Sequence, residues 1–151
     1  MLNFTKTGLA VGVIALAALG SASPAVAGQC PAGQEAANPL ASRLTMPKAV
    51  TDDVLGAIDL GQEIGVQGRD LRLRKLVVQP GGVVPFHSHD GRPALILTVS
   101  GEITEYRTTC GVPITHRAGE LARETKETGH YWVNHGKVPA VLYSADVKAA
   151  E

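Results

Sequence analysis

The stretch PGGVVPFHSHDGRPALILTVSGE, residues 80–102, decides the fold. Within it, His87 and His89 are separated by one residue in an apolar run that opens on Gly81-Gly82. On a β-strand, residues i and i+2 point to the same face and lie about 6.5 Å apart. The two imidazoles would therefore project together and could bind one metal ion. Taken alone, an H-x-H pair is more often two ordinary surface or core histidines than a metal site, so the rest of the chain must decide.

Beyond residue 52, short apolar runs alternate with glycines and show no helical period, which predicts an all-β sandwich or barrel. The strand candidates are 54–60, 71–78, 83–89, 94–99, 103–107, 121–124, 131–134 and 140–144.

The N-terminal segment has the features of a secretory signal peptide over residues 1–27. Lys6 is its only charged residue, an apolar run covers 9–19, and the small-residue stretch that follows ends in Ala25-x-Ala27. The apolar run is shorter than the roughly 20 residues that span a bilayer, which argues against a membrane anchor. We therefore predict cleavage after Ala27 and a periplasmic or secreted protein that is not membrane-bound. An extended arm over 28–51 and one barrel domain over 52–151 would remain.

The charge balance excludes some classes of partner. The chain has 14 Lys plus Arg and 14 Asp plus Glu, so no basic face predicts binding to nucleic acid or to anionic lipid. Four basic residues alternate with leucines, which predicts the solvated face of a strand: Arg69, Arg72, Arg74 and Lys75.

The two cysteines, Cys30 and Cys110, are both in the predicted exported part. In an oxidising compartment, an even pair is most often a disulfide, and this one would connect the arm to the barrel. A reactive thiol is the alternative, but no neighbouring base supports it.

The spacing of glycines, histidines and one asparagine resembles the two motifs of the cupin family. The residues that carry the resemblance are Gly81, His87, His89, Gly101, Gly119, His130 and Asn134. The resemblance implies a small jelly-roll β-barrel in which His87, His89 and His130 hold one divalent transition metal ion (Fe, Mn, Ni, Cu or Zn). It also implies a small-molecule ligand, and a homodimer by analogy.

Two departures from the family pattern concern the site. Ala94 stands where the family has its motif glutamate, and Thr125-Lys126-Glu127 replaces a P-x-G turn. Three protein ligands are still enough for a catalytic metal, which keeps open positions for water or substrate. Glu124 is a candidate replacement, as a ligand, a base or a partner of a ligand; the alternative is a solvated turn residue. Glu102 and Glu105 are expected to be ordinary polar residues.

Other residues were assigned from their neighbours in the sequence. Arg92 either pairs with an anionic substrate at the barrel mouth or lies in a surface turn. Trp132 either lines the pocket or packs in the core, and Asn134 is expected to fix a turn. His116 and His135 lie outside the motif pattern and are expected at the surface.

Three functions remain open. The resemblance favours a quercetin-dioxygenase-like enzyme acting on a small phenolic or diketone, although the motif glutamate, the family's usual base, is lost. The alternatives are a non-catalytic periplasmic module that binds a metal or small ligand, and a metal-free barrel. No G-x-S-x-G, phosphate-binding loop, C-x-x-C or H-E-x-x-H motif is present.

Overall fold

The computed structural model describes residues 28–150, so the predicted signal peptide lies outside the described residues. In chain order, the elements are β1 (Lys48–Asp59), α1 (Leu60–Ile64), β2 (Arg69–Ser88), β3 (Ala94–Ser100), β4 (Glu102–Arg107), β5 (Ile114–Arg117), β6 (Leu121–Glu124), β7 (Gly129–Val133) and β8 (Ala140–Ala149).

The strands form one antiparallel sheet in the order β5-β4-β7-β2-β8-β3-β6, and β1 pairs with β2 outside this path. β5, at one end of this order, contacts β3, which is next to the other end. The sheet is therefore almost closed into a barrel. The prediction of an all-β jelly-roll barrel is confirmed.

The long strand β2 joins the two halves of the barrel. Its first half pairs with β8, whereas residues 83–88 pair with β7. Between the halves, Gly81 has a φ of +72°, and a Cβ on Gly82 would lie 2.7 Å from the Gln79 carbonyl oxygen. The sequence analysis predicted two strands in this region, 71–78 and 83–89. The structure has one strand, which bends at the glycine pair.

Other differences concern element bounds. β1 begins at Lys48, inside the predicted arm, and the sequence analysis missed both β5 and α1. Asp59 caps the N-terminus of the short α1, because its Oδ1 accepts a hydrogen bond from the Gly61 amide at 2.7 Å. Gly65, which has a φ of +75°, caps the C-terminus.

In the basic segment of β2, arginines and leucines alternate as predicted, but two arginines face the interior and two leucines face solvent. Leu71 and Leu73 are 40% and 42% exposed, whereas Arg74 is only 8% exposed. Arg72 forms a bidentate pair with Asp146, its register partner on β8. The expectation of a solvated face is wrong for Arg72 and Arg74, because the buried carboxylate of Asp146 on the neighbouring strand compensates their charge. The other two residues of that prediction, Arg69 and Lys75, are half-buried.

The core lies between the two halves of the sheet around Trp132, Leu142 and Ile103, which are at most 2% exposed. Other apolar side chains remain exposed on β3 and β6: Leu95, Leu97, Val99 and Leu121. The homodimer stays a prediction.

A disulfide connects the arm to the barrel. Cys30 and Cys110 are bonded across a sequence separation of 80 residues. Nearby, Glu35 forms a β-bridge with Cys110, and the Asn38 side chain donates a hydrogen bond to the Cys110 carbonyl at 3.1 Å. Among residues 28–150, no helix is long and apolar enough to cross a membrane.

Candidate metal centre

Strand pairing brings the three motif histidines together. His87 on β2 is the direct register partner of His130 on β7. His89 lies one residue beyond β2, where its amide donates a hydrogen bond to the Thr128 carbonyl at 2.8 Å. His89 and His130 are completely buried, and His87 is partly exposed.

The three Nε2 atoms form a nearly equilateral triangle. The distances are 3.2 Å from His87 to His89, 3.0 Å from His89 to His130, and 3.1 Å from His130 to His87. Nitrogen ligands about 2.0–2.1 Å from one ion lie about 2.9 Å apart at right angles and about 3.4 Å apart at the tetrahedral angle. The observed distances lie between these values, so the histidines fit one metal ion.

The partners of the other ring nitrogens fix the tautomer of each histidine. Nδ1 of His87 faces the Pro85 carbonyl at 2.9 Å, and Nδ1 of His89 faces the Arg92 carbonyl at 2.8 Å. Nδ1 of His130 faces Glu105 Oε1 at 2.5 Å. Because each of these oxygens can only accept, each Nδ1 carries the proton, and the three Nε2 lone pairs face one another. A cation between them would relieve this repulsion.

Trp132 also contacts His130. Its Nε1 lies 3.1 Å from Nδ1, and the two rings stand at 77° to each other. Since Nδ1 directs its own proton to the closer, charged Glu105 oxygen, the indole N–H meets the imidazole ring and not a free lone pair.

Burial keeps the histidines neutral, as metal ligands must be. Burial and, after it, the neighbouring His130 lower the pKa of His87 to about 4 and that of His89 to about 3. Burial also lowers the pKa of His130, although Glu105 opposes this shift.

Two buried carboxylates lie behind His130, on its Nδ1 side. Glu105 Oε1 contacts Nδ1 directly, and Glu124 Oε2 is 3.6 Å from the same atom. Arg107 joins them, because its guanidinium donates to both carboxylates at 2.8–3.0 Å. Glu124 is thus an inward partner of a candidate ligand, and it does not lie on the side where the three Nε2 atoms meet.

The sequence analysis was wrong about Glu105 and His116. Glu105 is completely buried, and its Oε2 accepts a hydrogen bond from His116 Nε2 at 2.9 Å. His116 is also completely buried, because β5 points Ile114 and His116 inward and its other two residues outward. The alternation of side chains along the four residues of β5 was the sequence signal that could have placed His116 on the same face as Ile114. His135 is exposed as expected, with Tyr106 Oη 3.0 Å from its Nε2.

The two carboxylates differ in protonation. Burial alone would raise the pKa of Glu105, but the hydrogen bonds from His116 and His130 and the Arg107 charge hold it well below its usual range. Burial and the neighbouring Glu105 charge raise the pKa of Glu124 to about 8. Glu105 is therefore the charged partner that orients His130.

A cavity of about 170 Å³ inside the barrel is lined by one of the three histidines, His87. His87, Arg92 and Trp132 all line it, so the structure places both predicted pocket residues on the same cavity as a candidate ligand. Trp132 also packs in the core. Arg74, which the sequence analysis placed in solvent, lines the cavity as well.

The family model for the Cupin domain matches residues 74–146, which include all three histidines. The chain belongs to the cupin family. Auxin-binding protein ABP19b of Prunus persica is 34% identical to this cupin over 82 residues, which are 52% of this chain and 39% of that protein. The matched part of this cupin thus spans about two fifths of that relative's length.

Solved structures support the fold. The Cnp3 cupin domain of Schizosaccharomyces pombe has a TM-score of 0.54 at 10% identity and covers 69% of this chain and 66% of that chain. Oxalate oxidase in complex with the substrate analogue glycolate has a TM-score of 0.51 at 19% identity, over 67% of this chain and 52% of that chain. At these identities, the likeness shows the cupin fold alone.

Proposed function

We propose that this cupin holds one divalent transition metal ion through His87, His89 and His130, and that the ion binds and activates a small oxygenated organic molecule. The observation that carries the proposal is the meeting of three unprotonated Nε2 atoms at 3.0–3.2 Å from one another. A bound ion would supply Lewis acidity toward an oxygen of that molecule. The all-nitrogen ligand set suits Fe, Mn, Ni, Cu or Zn and disfavours Mg or Ca.

The chain's own residues prepare the site before any ion arrives. Pro85 and Arg92 orient two histidines through their carbonyl oxygens, and Glu105 orients the third. Because all three acceptors are in place, little reorganisation is needed when an ion binds. The three neutral imidazoles leave a 2+ charge uncompensated, which favours an anionic oxygen as a further ligand.

For the reaction class, we propose dioxygenase-like oxidation of the bound molecule. The family resemblance supports this class, and one structural neighbour is an oxalate oxidase. The test is oxygen uptake by protein reconstituted separately with each candidate metal, using small phenolics and diketones as substrates. Uptake that requires both metal and substrate, and that is absent in His130→Ala, would support oxidation.

A second candidate function is non-catalytic binding, and the position of the carboxylates favours it. Glu105 and Glu124 both lie on the Nδ1 side of His130, so neither is placed to take a proton from a molecule at the Nε2 side. Relatives of this cupin are named as auxin-binding proteins. Replacing the metal with Co²⁺ separates the two functions: a ligand that shifts its visible absorption bands without oxygen uptake or product formation would indicate a binding module.

We also propose that the chain is exported. The Cys30–Cys110 disulfide supports this, because such bonds persist in oxidising compartments. Intact-mass analysis of the secreted or periplasmic protein tests it, with Gly28 expected as the first residue. A chain recovered in the cytoplasm with Met1 retained would contradict it.

A further inference from the structure

We propose that Arg92 is a carboxylate-binding residue and that the ligand of the cavity is a small organic carboxylate. The inference extends the proposed function, because a second oxygen of the same molecule would face the three histidines. The contact with Arg92 itself does not require a metal ion.

Arg92 is linked to the metal centre through its backbone. Its carbonyl accepts the hydrogen bond from His89 Nδ1 at 2.8 Å, and its side chain lines the cavity together with His87. A molecule in this cavity therefore lies within reach of both a guanidinium and one candidate metal ligand, His87.

The guanidinium of Arg92 has donors to spare. Its one ion-pair partner in the described chain is Asp146, whose Oδ2 is 3.4 Å from Nε, and Nε forms no hydrogen bond there. Nη1 and Nη2 donate to no acceptor within residues 28–150. The side chain is 29% exposed, so it is held at the cavity and still accessible. An open pair of parallel N–H donors matches the two oxygens of a carboxylate.

Arg92 shares its carboxylate partner with other guanidiniums. Asp146 Oδ2 lies 3.4 Å from Arg92, and the same oxygen lies 2.9 Å from Arg72 and 3.5 Å from Arg74. A half-buried charge is costly unless it is compensated, so an anion bound at Arg92 would add a counter-charge that Arg92 does not share.

The remaining walls define the rest of the ligand. Most of them are apolar, among them Leu76, Ile96, Trp132 and Leu142, and the polar side chains of Asp52 and Ser144 also line the cavity. Its volume of about 170 Å³ is comparable with the roughly 150 Å³ cavity that holds benzene in another protein. These walls favour a carboxylate on a short apolar body over inorganic phosphate or a large polycyclic molecule.

Isothermal titration calorimetry on the disulfide-intact protein tests the proposal, with lactate, benzoate and inorganic phosphate as probes. Lactamide and benzamide are the neutral matches of the two acids. Each probe is titrated into metal-free and into zinc-loaded protein, and metal content is measured for every sample.

The variants are Arg92→Gln, which removes the charge but keeps the backbone carbonyl, and Arg92→Lys, which keeps the charge but loses the paired donors. Arg123→Gln is the control, because Arg123 is exposed on β6 and outside the cavity. We expect at least one acid to bind about tenfold or more tightly than its amide. Arg92→Gln should weaken that acid about 10- to 100-fold, Arg92→Lys less, and Arg123→Gln not at all.

Three results would overturn the inference: equal binding of acid and amide, unchanged acid binding in Arg92→Gln, or tighter binding of phosphate than of both acids. Absence of binding by both acids below about 10 mM would also overturn it. If zinc does not bind but an acid still binds through Arg92, the proposed metal function fails and the carboxylate site stands.

Discussion

Glu124 on β6 lies directly opposite Ala94 on β3, in the first pair of the β3–β6 ladder. Ala94 occupies the position where the family pattern has its glutamate. A carboxylate, that of Glu124, is present instead on the neighbouring strand. The shift changes what the carboxylate does. From β6 it reaches Arg107 and the Nδ1 side of His130, behind the ring that would bind the metal.

Restoring the glutamate should therefore add a ligand. We predict that Ala94→Glu combined with Glu124→Gln binds divalent metal at least about tenfold more tightly than Glu124→Gln alone, because losing even an outer partner commonly changes affinity 10–100-fold. Glu124→Gln removes the second carboxyl group from the position directly opposite residue 94 in the ladder. Competition with a chromophoric chelator at pH 7 measures the affinities. Equal affinities would show that position 94 does not reach the ion.

Glu105→Gln should loosen the metal centre. The amide can no longer hold the His130 proton as a charged acceptor, so we predict about 10–100-fold weaker metal binding. We also expect a loss of about 1–3 kcal/mol of unfolding free energy, since Arg107 and His116 lose a buried charged partner.

The control for this prediction is Glu102→Gln, in the same strand but exposed. NMR of the imidazole nitrogens reports the tautomer of His130 independently of stability. Unchanged metal affinity and an unchanged Nδ1–H tautomer in Glu105→Gln would refute the positioning role.

The stability of the metal-free protein should depend on pH through the histidines. The folded-state pKa values of His87 and His89 are about 4 and about 3, against an ordinary value of 6.5. Between these values, the unfolded chain binds more protons than the folded one, so the free energy of unfolding falls as the pH drops from 7 toward 4. Urea unfolding across this range, in the protein and in His87→Ala/His89→Ala, measures the effect. The variant should lose less stability on acidification, and parallel curves would contradict the shifted pKa values.

The disulfide should stabilise the barrel through the arm. Replacing both Cys30 and Cys110 with serine should lower the free energy of unfolding by about 2–4 kcal/mol, because the bond closes a loop across 80 residues. Urea unfolding gives the change. Metal content should stay constant, since neither cysteine lines the metal centre or the cavity. A stability equal to that of the parent protein would refute a structural role for the bond.

Much of the fold was predictable because strand periodicity and glycine turns are local signals. The pair His87 and His89 could be assigned to one face from spacing alone, and the bend in β2 was marked by Gly81-Gly82. The alternation of arginines and leucines in β2 was also visible. The sequence did not show which face of β2 lies inside the barrel, because the partner that decides this, Asp146, is 74 residues away from Arg72 in the sequence.

The buried group behind His130 was missed for a related reason. Glu105 and His116 meet only through the pairing of β4 with β5, in which Ile103 is the register partner of His116. A register between strands is a tertiary property, and a four-residue strand gives a weak periodic signal. Glu105 therefore looked like any polar residue of an exposed strand.

The most direct test of the three-histidine centre is metal stoichiometry. The protein is purified without a histidine tag, dialysed against each divalent ion and analysed by plasma mass spectrometry beside His87→Ala/His130→Ala. His135→Ala is the control, because His135 is exposed and outside the triangle. We predict about one ion per chain in the protein and in His135→Ala, and none in the double variant. Two results would contradict the three-histidine centre: an ion that remains bound to the double variant, or a parent protein that binds none of the metals tested.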